Sequence, residues 1–339
     1  MSVRAPVGTT NLCREKSCIG RGIAAIRANG IDRDFLYFYL RKIEPYIDSL
    51  GSGAIFKAIN KSQLSELPIN EAGIELPEQR KIAHILSTVQ RAIEAQERII
   101  QTTTELKKAL MQKLFTEGLR NESQKLTEID LVPESWEVAR IGDCCDVSTG
   151  TTPSTKKPEY YVGNNPFIKT GEITNNRISG ASVCISDQAI AKYNLNVYKP
   201  GTLLIAMYGQ GKTRGQISIL EVPASTSQNA GAIAPSSEVD SEYLWYYLMS
   251  QYEQLRRSGI EGHISHLNLG YIKEILFPKP SLKDQQSIAS MFRGLDKKML
   301  LHKKKRRVLQ DLFLTFLHEL MTARIRVNGV EIKRVEAEQ

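Results

Sequence analysis

Between Gly150 and Arg177 the chain concentrates small hydrogen-bonding and cationic side chains. Gly150, Thr151 and Thr152 make a short polar loop, ended by Pro153, ahead of Lys156 and Lys157. Hydroxyl and ammonium donors in a turn suit phosphate oxygens. Lys169, Thr170, Asn175, Asn176 and Arg177 then gather around Gly171. Amide and guanidinium groups of this kind read the edges of bases in DNA. The same residue types also build ordinary turns, so each has a purely structural use as well. Tyr160 and Tyr161, beside an expected strand, are read as packing residues rather than platforms for bases.

A second stretch invites a different chemistry. In AMYGQGKTRG the strand-like TLLIAM runs into Gly211, Lys212 and Thr213. A phosphate-cradling P loop needs glycine where this chain has Ala206, and it must open a helix. RGQISILEV follows instead and alternates like a strand. Gln210, Lys212 and Arg214 are therefore read as candidates for contact with DNA. His263, in EGHISHLN, joins them as part of a polar loop; with His266 it has no carboxylate or cysteine at the spacing of a metal site, so no metal is expected. No nucleophile with a base, no paired catalytic carboxylates and no methyltransferase-like motif is found in the sequence.

The whole chain must position these groups. A formal charge of +8 and a pI of about 9.1 favour an anionic partner. With 41% apolar and 24% charged residues the composition is that of a folded globular protein, and 339 residues leave room for two domains. The five cysteines lack C-x-x-C pairs and read as reduced thiols. No apolar run is long enough to span a bilayer and MSVRAPVGTT lacks a signal-peptide core, which gives a cytoplasmic expectation.

An internal repeat organises the chain. DRDFLYFYL from Asp32 returns as DSEYLWYYL from Asp240, 208 positions later, and Leu64 and Leu67 match Ile272 and Ile275. Gln79, Ile82, Ala83, Ile85 and Leu86 return 206 positions later as Gln285, Ile288, Ala289, Met291 and Phe292. Gly8, Thr9 and Thr10 align with Gly211, Lys212 and Thr213; the first copy has no lysine there, a further argument against shared nucleotide chemistry.

Each repeat ends in a long helix. Pro77, Glu78 and Gly118 punctuate the first, from about Pro77 to Glu117, and Ser281 with Asp284 opens the second, to about Met321. Ile82, Leu86, Val89 and Ile93, then Leu106, Leu110 and Leu114, form an apolar seam matched by Ile288, Phe292, Leu295 and Met299, then Leu312, Phe316 and Leu320. Each helix is roughly 60 Å long, and an antiparallel pair would act as a spacer. The run HKKKRR, His302 to Arg307, interrupts the second seam opposite Ile99 and Ile100; it is either a solvated face or a contact for a DNA backbone or an acidic partner.

The stretch LPEQRKIAHILSTVQRAIEAQERIIQTTTELKKALMQKLFTEG, Leu76 to Gly118, resembles the central helix of type I restriction-modification specificity (S) subunits. VPESWEV, GTTPSTKKPEYY and PFIKTGEITN resemble the opening of a target recognition domain of that family. SVRAPVGTTN, CIGRGIAAIR and SGAIFKAINKSQLSELPI resemble the closing half of another, which adds Arg4, Thr9, Thr10, Arg21, Lys57 and Lys61 to the candidate DNA-binding residues. The resemblance implies an α+β fold, with mixed α/β recognition domains alternating with two long helices that pair as an antiparallel coiled coil. It implies a non-catalytic protein that reads a bipartite site in double-stranded DNA. Its partners would be two modification (methyltransferase) subunits and restriction (nuclease and translocase) subunits, which use S-adenosylmethionine, ATP and Mg. A protein-binding coiled-coil adaptor and a P-loop enzyme are the alternatives.

The expected divisions are the closing part of a first recognition domain at 1–75, a helix at 76–118, a linker at 119–130, a complete second recognition domain at 131–280, a helix at 281–322 and a tail at 323–339. Met1 aligns with Leu204, so the first half has no counterpart of Leu131 to Leu203. The expectation is a chain truncated within its first recognition domain, with a second S fragment as a further candidate partner.

Overall fold

The computed structural model describes residues 1–52, 57–69, 72–209, 211–234, 236–257 and 267–330. Two compact units emerge: Met1–Gln101 together with the chain from Met299, and Thr102–Lys298.

The first unit opens with irregular chain tied by the bridges Ser2↔Ile23 and Arg4↔Ala58. Helix α1 (Arg33–Lys42) starts at Asp32, whose carboxylate accepts from the amides of Asp34 and Phe35, and ends in Arg41 and Lys42, as the helix dipole favours. Short helices α2 (Glu44–Leu50) and α3 (Lys61–Ser65) follow, the latter held by a reciprocal Asn60–Gln63 capping box. Helix α4 (Leu76–Thr116) then runs out of this unit into the second, and Gly118 takes a positive φ just beyond its end.

In the second unit β1 (Gln124–Leu126) and β2 (Leu131–Pro133) form a hairpin, followed by β3 (Glu137–Arg140), α5 (Ile141–Cys144) and β4 (Val147–Thr149). Next come β5 (Asn165–Ile168), β6 (Arg177–Ile178), β7 (Cys184–Ile185), α6 (Asp187–Tyr193), β8 (Leu203–Ala206), β9 (Ile217–Leu220), β10 (Ser225–Thr226) and β11 (Ala230–Ile233). The segment closes with α7 (Ser241–Ser250), α8 (Tyr252–Arg257), α9 (Leu269–Glu274) and β12 (Leu276–Lys279), which pairs with β3. Helix α10 (Leu282–Met321) returns to the first unit.

The main sheet has the order β4-β11-β8-β9-β6, antiparallel except where β6 lies parallel to β9; β10, β5 and β7 form a smaller sheet. Strands β8, β9 and β11 are buried along their whole length. Leu203, Ile205, Ile217 and Ile219 pack on the α7 side, while Leu204, Ala206 and Leu220 pack with Ile168, Ile173 and Tyr198 on the other. Burial on both faces explains why these strands read as continuous apolar runs. Gly231 is required where α9 crosses: a Cβ there would lie 2.5 Å from Ile272 Cδ1.

The two long helices run antiparallel and are packed as a coiled coil. In the first unit Ile82 and Leu86 share a core with Phe313, Leu317 and Leu320, and His302 Nδ1 lies 2.7 Å from Gln96 Oε1. In the second, Phe115 packs on Phe292 and Lys107 Nζ donates to Asp296 Oδ1 at 2.6 Å. The helix limits fall within a residue of those expected, but the seam leaves the expected residues at Leu106 and Leu312. Leu106 and Leu312 are exposed, at 48% and 37%. From Ile82 the packed positions alternate steps of four and three without a break, through Gln96, Thr103 and Lys107, and the second helix does the same through His302, Arg306 and Phe313. The heptad register is thus kept through polar residues, and the apolar Leu106 and Leu312 fall one position outside it. The basic run does not interrupt the seam: His302 and Arg306 turn inward, the latter 3.9 Å from Glu97, while Lys303, Lys304, Lys305 and Arg307 are exposed.

Both units fasten the repeated helix to the base of a long helix in the same way. In the first, the side chain of Gln79 accepts from the Asp32 amide at 2.8 Å and donates to the Ile74 carbonyl at 2.7 Å. In the second, Gln285 accepts from the Asp240 amide at 2.8 Å and donates to the Pro280 carbonyl at 2.9 Å. Ser281 and Asp284 make the expected reciprocal start of α10.

Candidate nucleic-acid interface

The topology of the main sheet decides which loops meet. Strand β4 ends where β11 begins, with Thr149 opposite Gly231. Strand β8 ends beside the start of β11, with Ala206 opposite Ala230, and the start of β9 faces the end of β8, with Ile217 opposite Ile205. Strand β6 runs parallel to β9 with Arg177 opposite Ile219, so the Asn175–Asn176 turn before it lies beside the start of β9. One end of the sheet therefore collects the chain after Thr149, the turn before Arg177, the residues after Ala206 at 207–209 and before Ile217 at 211–216, and the loop Ser227–Asn229. Of the second-half residues named from sequence, Thr151 and Thr152 follow β4 and Lys212 lies between β8 and β9, at this end of the sheet.

The edge is knitted by its own polar groups. Thr149 Oγ1 donates to the carbonyls of Gln228 and Ala230, at 3.1 and 2.9 Å, and Thr152 Oγ1 donates to Gln228 Oε1 at 2.5 Å. The Met207 amide donates to the Asn229 carbonyl at 3.0 Å. Gly150 approaches so closely that a Cβ would collide with the Thr226 carbonyl, which explains glycine at the start of the GTTPS loop. Lys169 and Thr170 follow β5, parallel to β10, so they emerge beside Ser227; Thr170 Oγ1 and Ser227 Oγ lie 3.5 Å apart. A cleft of about 890 Å³ opens here, lined among others by Thr152, Lys169, Thr170, Ser227 and Asn229 over an apolar floor of Phe167 and Tyr161.

Among the remaining second-half candidates, Thr151, Lys156 and Lys157 are exposed, and Lys157 lies over the Tyr160 ring at 5.4 Å. Asn175 and Asn176 build the turn before β6. Asn175 has φ of +57°, a conformation asparagine tolerates, and its Oδ1 accepts from the Ile217 amide at 2.9 Å. Asn176 Oδ1 accepts from Ser218 Oγ at 2.5 Å. Lys212 is exposed on the β8–β9 turn, with its carbonyl accepting from Tyr252 Oη at 2.6 Å, and Arg214 donates to the Arg256 carbonyl at 2.8 Å. The GKT stretch is thus a strand-turn-strand, in keeping with the rejection of a P loop. Gln210, His263 and His266 lie outside the described residues.

Arg177 is turned inward. Its Nη1 donates to Glu242 Oε1 at 2.8 Å and its guanidinium stacks 5.0 Å from the Trp245 ring. Burial opposes its charge, but the hydrogen bond and charge of Glu242, helped by Tyr246, outweigh this and hold the group above its ordinary pKa. In the first unit Arg4, Arg21 and Lys61 are exposed. Thr9 donates to Glu44 at 2.9 Å, Thr10 to the Gly8 carbonyl at 2.8 Å and Lys57 to Asp48 at 2.6 Å.

Sequence reasoning passed over Ser227, Gln228 and Asn229, which stand between the GTTPS loop and the cleft. Their signal was present: a polar SQN step between the buried segments Ser225–Thr226 and Ala230–Ile233 marks a turn at the sheet end, where Gln228 is exposed and Asn229 half-buried while Ser227 stays buried.

Comparison with known proteins returns one family. The type I restriction modification DNA specificity domain matches residues 1–104 and 133–311. The chain is 26% identical over 309 residues to the type I restriction enzyme MjaVIII specificity subunit of Methanocaldococcus jannaschii, covering 88% of this chain and 72% of that protein. It is 30% identical over 207 residues to the MjaIX specificity subunit of the same organism, covering 59% of this chain and 47% of that one. In fold it is similar to the type I restriction-modification S subunit from M. genitalium, with a TM-score of 0.59 at 20% identity over 86% of this chain and 73% of that one. It is also similar to the HsdS subunit from Thermoanaerobacter tengcongensis, with a TM-score of 0.51 at 17% identity over 86% and 70%.

Proposed function

The chain belongs to the family of type I restriction modification DNA specificity domains, and from that premise we propose that the sheet end of the second unit is the surface with which it reads one part of a DNA target. The convergence of the strand ends carries this reading: one edge gathers Thr151, Thr152, Gln228, Asn229 and Lys212, with Lys169 and Thr170 at the adjoining cleft. Exposed lysines there would hold phosphates, and the hydroxyl and amide groups, already positioned by one another, would face base edges. The chain's role is recognition rather than catalysis. Methylation and cleavage would come from modification and restriction subunits docked on it, two modification subunits being the stoichiometry the family resemblance suggests; those partners, not this chain, would carry S-adenosylmethionine, ATP and Mg.

The test is binding of the chain, purified with its modification subunits, to duplexes carrying its methylated sequence, measured across salt concentration. Lys169→Ala and Lys212→Ala should weaken binding about equally on all sequences and each lower the salt slope by about 1. Gln228→Ala or Asn229→Ala should relax the base preference instead. Binding that is independent of salt and unchanged in all four variants would refute the assignment and favour a protein-binding adaptor.

A further inference from the structure

Behind the proposed reading edge, the second unit contains an ionic relay that no DNA contact requires. It starts at Arg177, the first residue of β6, directly after the Asn175–Asn176 turn. Arg177 donates to Glu242 Oε1 on α7, and Glu242 Oε2 accepts from Arg293 Nε on α10 at 2.6 Å. One turn along α7, Tyr246 Oη donates to Asp296 Oδ2 on α10 at 2.7 Å, and Lys107 Nζ on α4 donates to the other oxygen of Asp296 while lying 4.8 Å from the Tyr246 ring. Trp245, under the Arg177 guanidinium, donates its indole N–H to the Ile217 carbonyl at 2.9 Å and so pins α7 to the start of β9. The partly buried side chains of Arg177, Glu242, Lys107 and Asp296 thus join the sheet edge to both long helices through α7.

The first unit shows that folding does not demand this chemistry. By the repeat, Tyr246 corresponds to Phe38 and Lys107 to Phe313, and those two rings pack edge-on at 5.9 Å. Asp296 corresponds to Gln90, which accepts from Arg41 at 2.9 Å, and Glu242 corresponds to Asp34, which pairs with its neighbour Arg33. One position in the scaffold is filled by aromatic packing in one unit and by a directional chain of charges in the other. Apolar packing supplies cohesion, whereas hydrogen-bonded charges fix orientation.

We propose that Glu242, Tyr246, Asp296 and Arg177 are positioning residues that set the angle of the reading edge on the helix pair, and thereby the separation at which this edge accepts its part of the target. The inference rests on the DNA-reading assignment above. It differs from the sequence reading of Arg177 as a DNA donor.

The experiment uses the complex with modification subunits and three duplexes carrying the natural target, with its non-specific spacer at natural length and one base pair shorter or longer. Methylation rates are compared for wild type, Glu242→Gln and the double variant Tyr246→Phe/Asp296→Gln, which places the first unit's residues at two of the three corresponding positions and whose folding is checked by circular dichroism. Both variants should lose about tenfold of the discrimination between spacers, about 1.4 kcal/mol, while the methylated sequence within each part stays the same. Unchanged spacer discrimination in the folded double variant overturns the relay. Arg177→Met separates positioning from contact: an unchanged salt slope of binding supports the relay, and a slope lowered by about 1 marks a phosphate contact and overturns it. Wild type that ignores spacer length altogether would instead refute the reading of a two-part target on which the inference rests.

Discussion

The two copies of the repeat agree at their base and part company above it. In each unit an aspartate caps an aromatic-rich helix, Asp32 before α1 and Asp240 before α7, and a buried glutamine, Gln79 or Gln285, ties that cap to the first turn of a long helix. Each long helix also receives an arginine from beyond the end of the other. Arg326 clamps Glu78, with both oxygens at 3.0 Å from Nε, and Arg120, 206 positions earlier, reaches Asp284 at 2.8 Å. Above this shared fastening the second unit carries a five-stranded sheet, a three-stranded sheet and a polar edge, whereas the first buries its aromatic helix against α4 and α10. The common part is what any such unit needs to stand on a helix pair. The parts that differ are free to carry specificity.

The sharpest way to break the equivalence is through the glutamines. Gln79→Leu and Gln285→Leu each strand a partly buried amide and a buried carbonyl, and each should cost about 2–3 kcal/mol in denaturant unfolding of the full chain. A large loss from one and none from the other would show that the two fastenings are not equivalent.

A smaller difference is expected between the clamps. Both carboxylates are buried, but Glu78 also accepts from the Val327 amide at 2.9 Å and its arginine is 49% exposed, whereas the Arg120 that pairs with Asp284 is 61% exposed. Removing Glu78 should therefore destabilise more than removing Asp284. Burial alone would raise the Glu78 carboxyl, but the hydrogen bonds from Arg326 and Val327 and the Arg326 charge outweigh it and hold the group below its ordinary value. A depressed carboxyl contributes stability that is full above the unfolded value and is lost as pH falls through the folded one. Acid titration of stability should accordingly show a step below the ordinary glutamate range that Glu78→Gln removes. Identical acid profiles for wild type and Glu78→Gln would contradict this.

Much of the architecture was legible because it is periodic or punctuated. The two long helices follow from Pro77, Gly118, Ser281 and Asp284, and the strand-turn-strand at Gly211 follows from the alternation after it. The seam was legible only in part: Leu106 and Leu312 attract attention as leucines, yet the heptad runs through Leu309 and Phe313 on the second helix and through Thr103 and Lys107 on the first, where no hydropathy pattern marks a buried threonine or a half-buried lysine. The candidate site divides in the same manner. Glycine, threonine and lysine clusters mark their own loops, but the loop Ser227–Asn229 joins them only through sheet order. The inward turn of Arg177 depends on Glu242, 65 residues away, a pairing that local sequence does not encode.

The reading edge is tested most directly by exchange. Replacing residues 131–275 with the corresponding segment of a relative, and mapping methylated sequences in cells that carry the matching modification subunit, should change one part of the target and leave the other part as it was. A target altered in both parts, or unaltered in either, would contradict the assignment of recognition to the sheet end of the second unit.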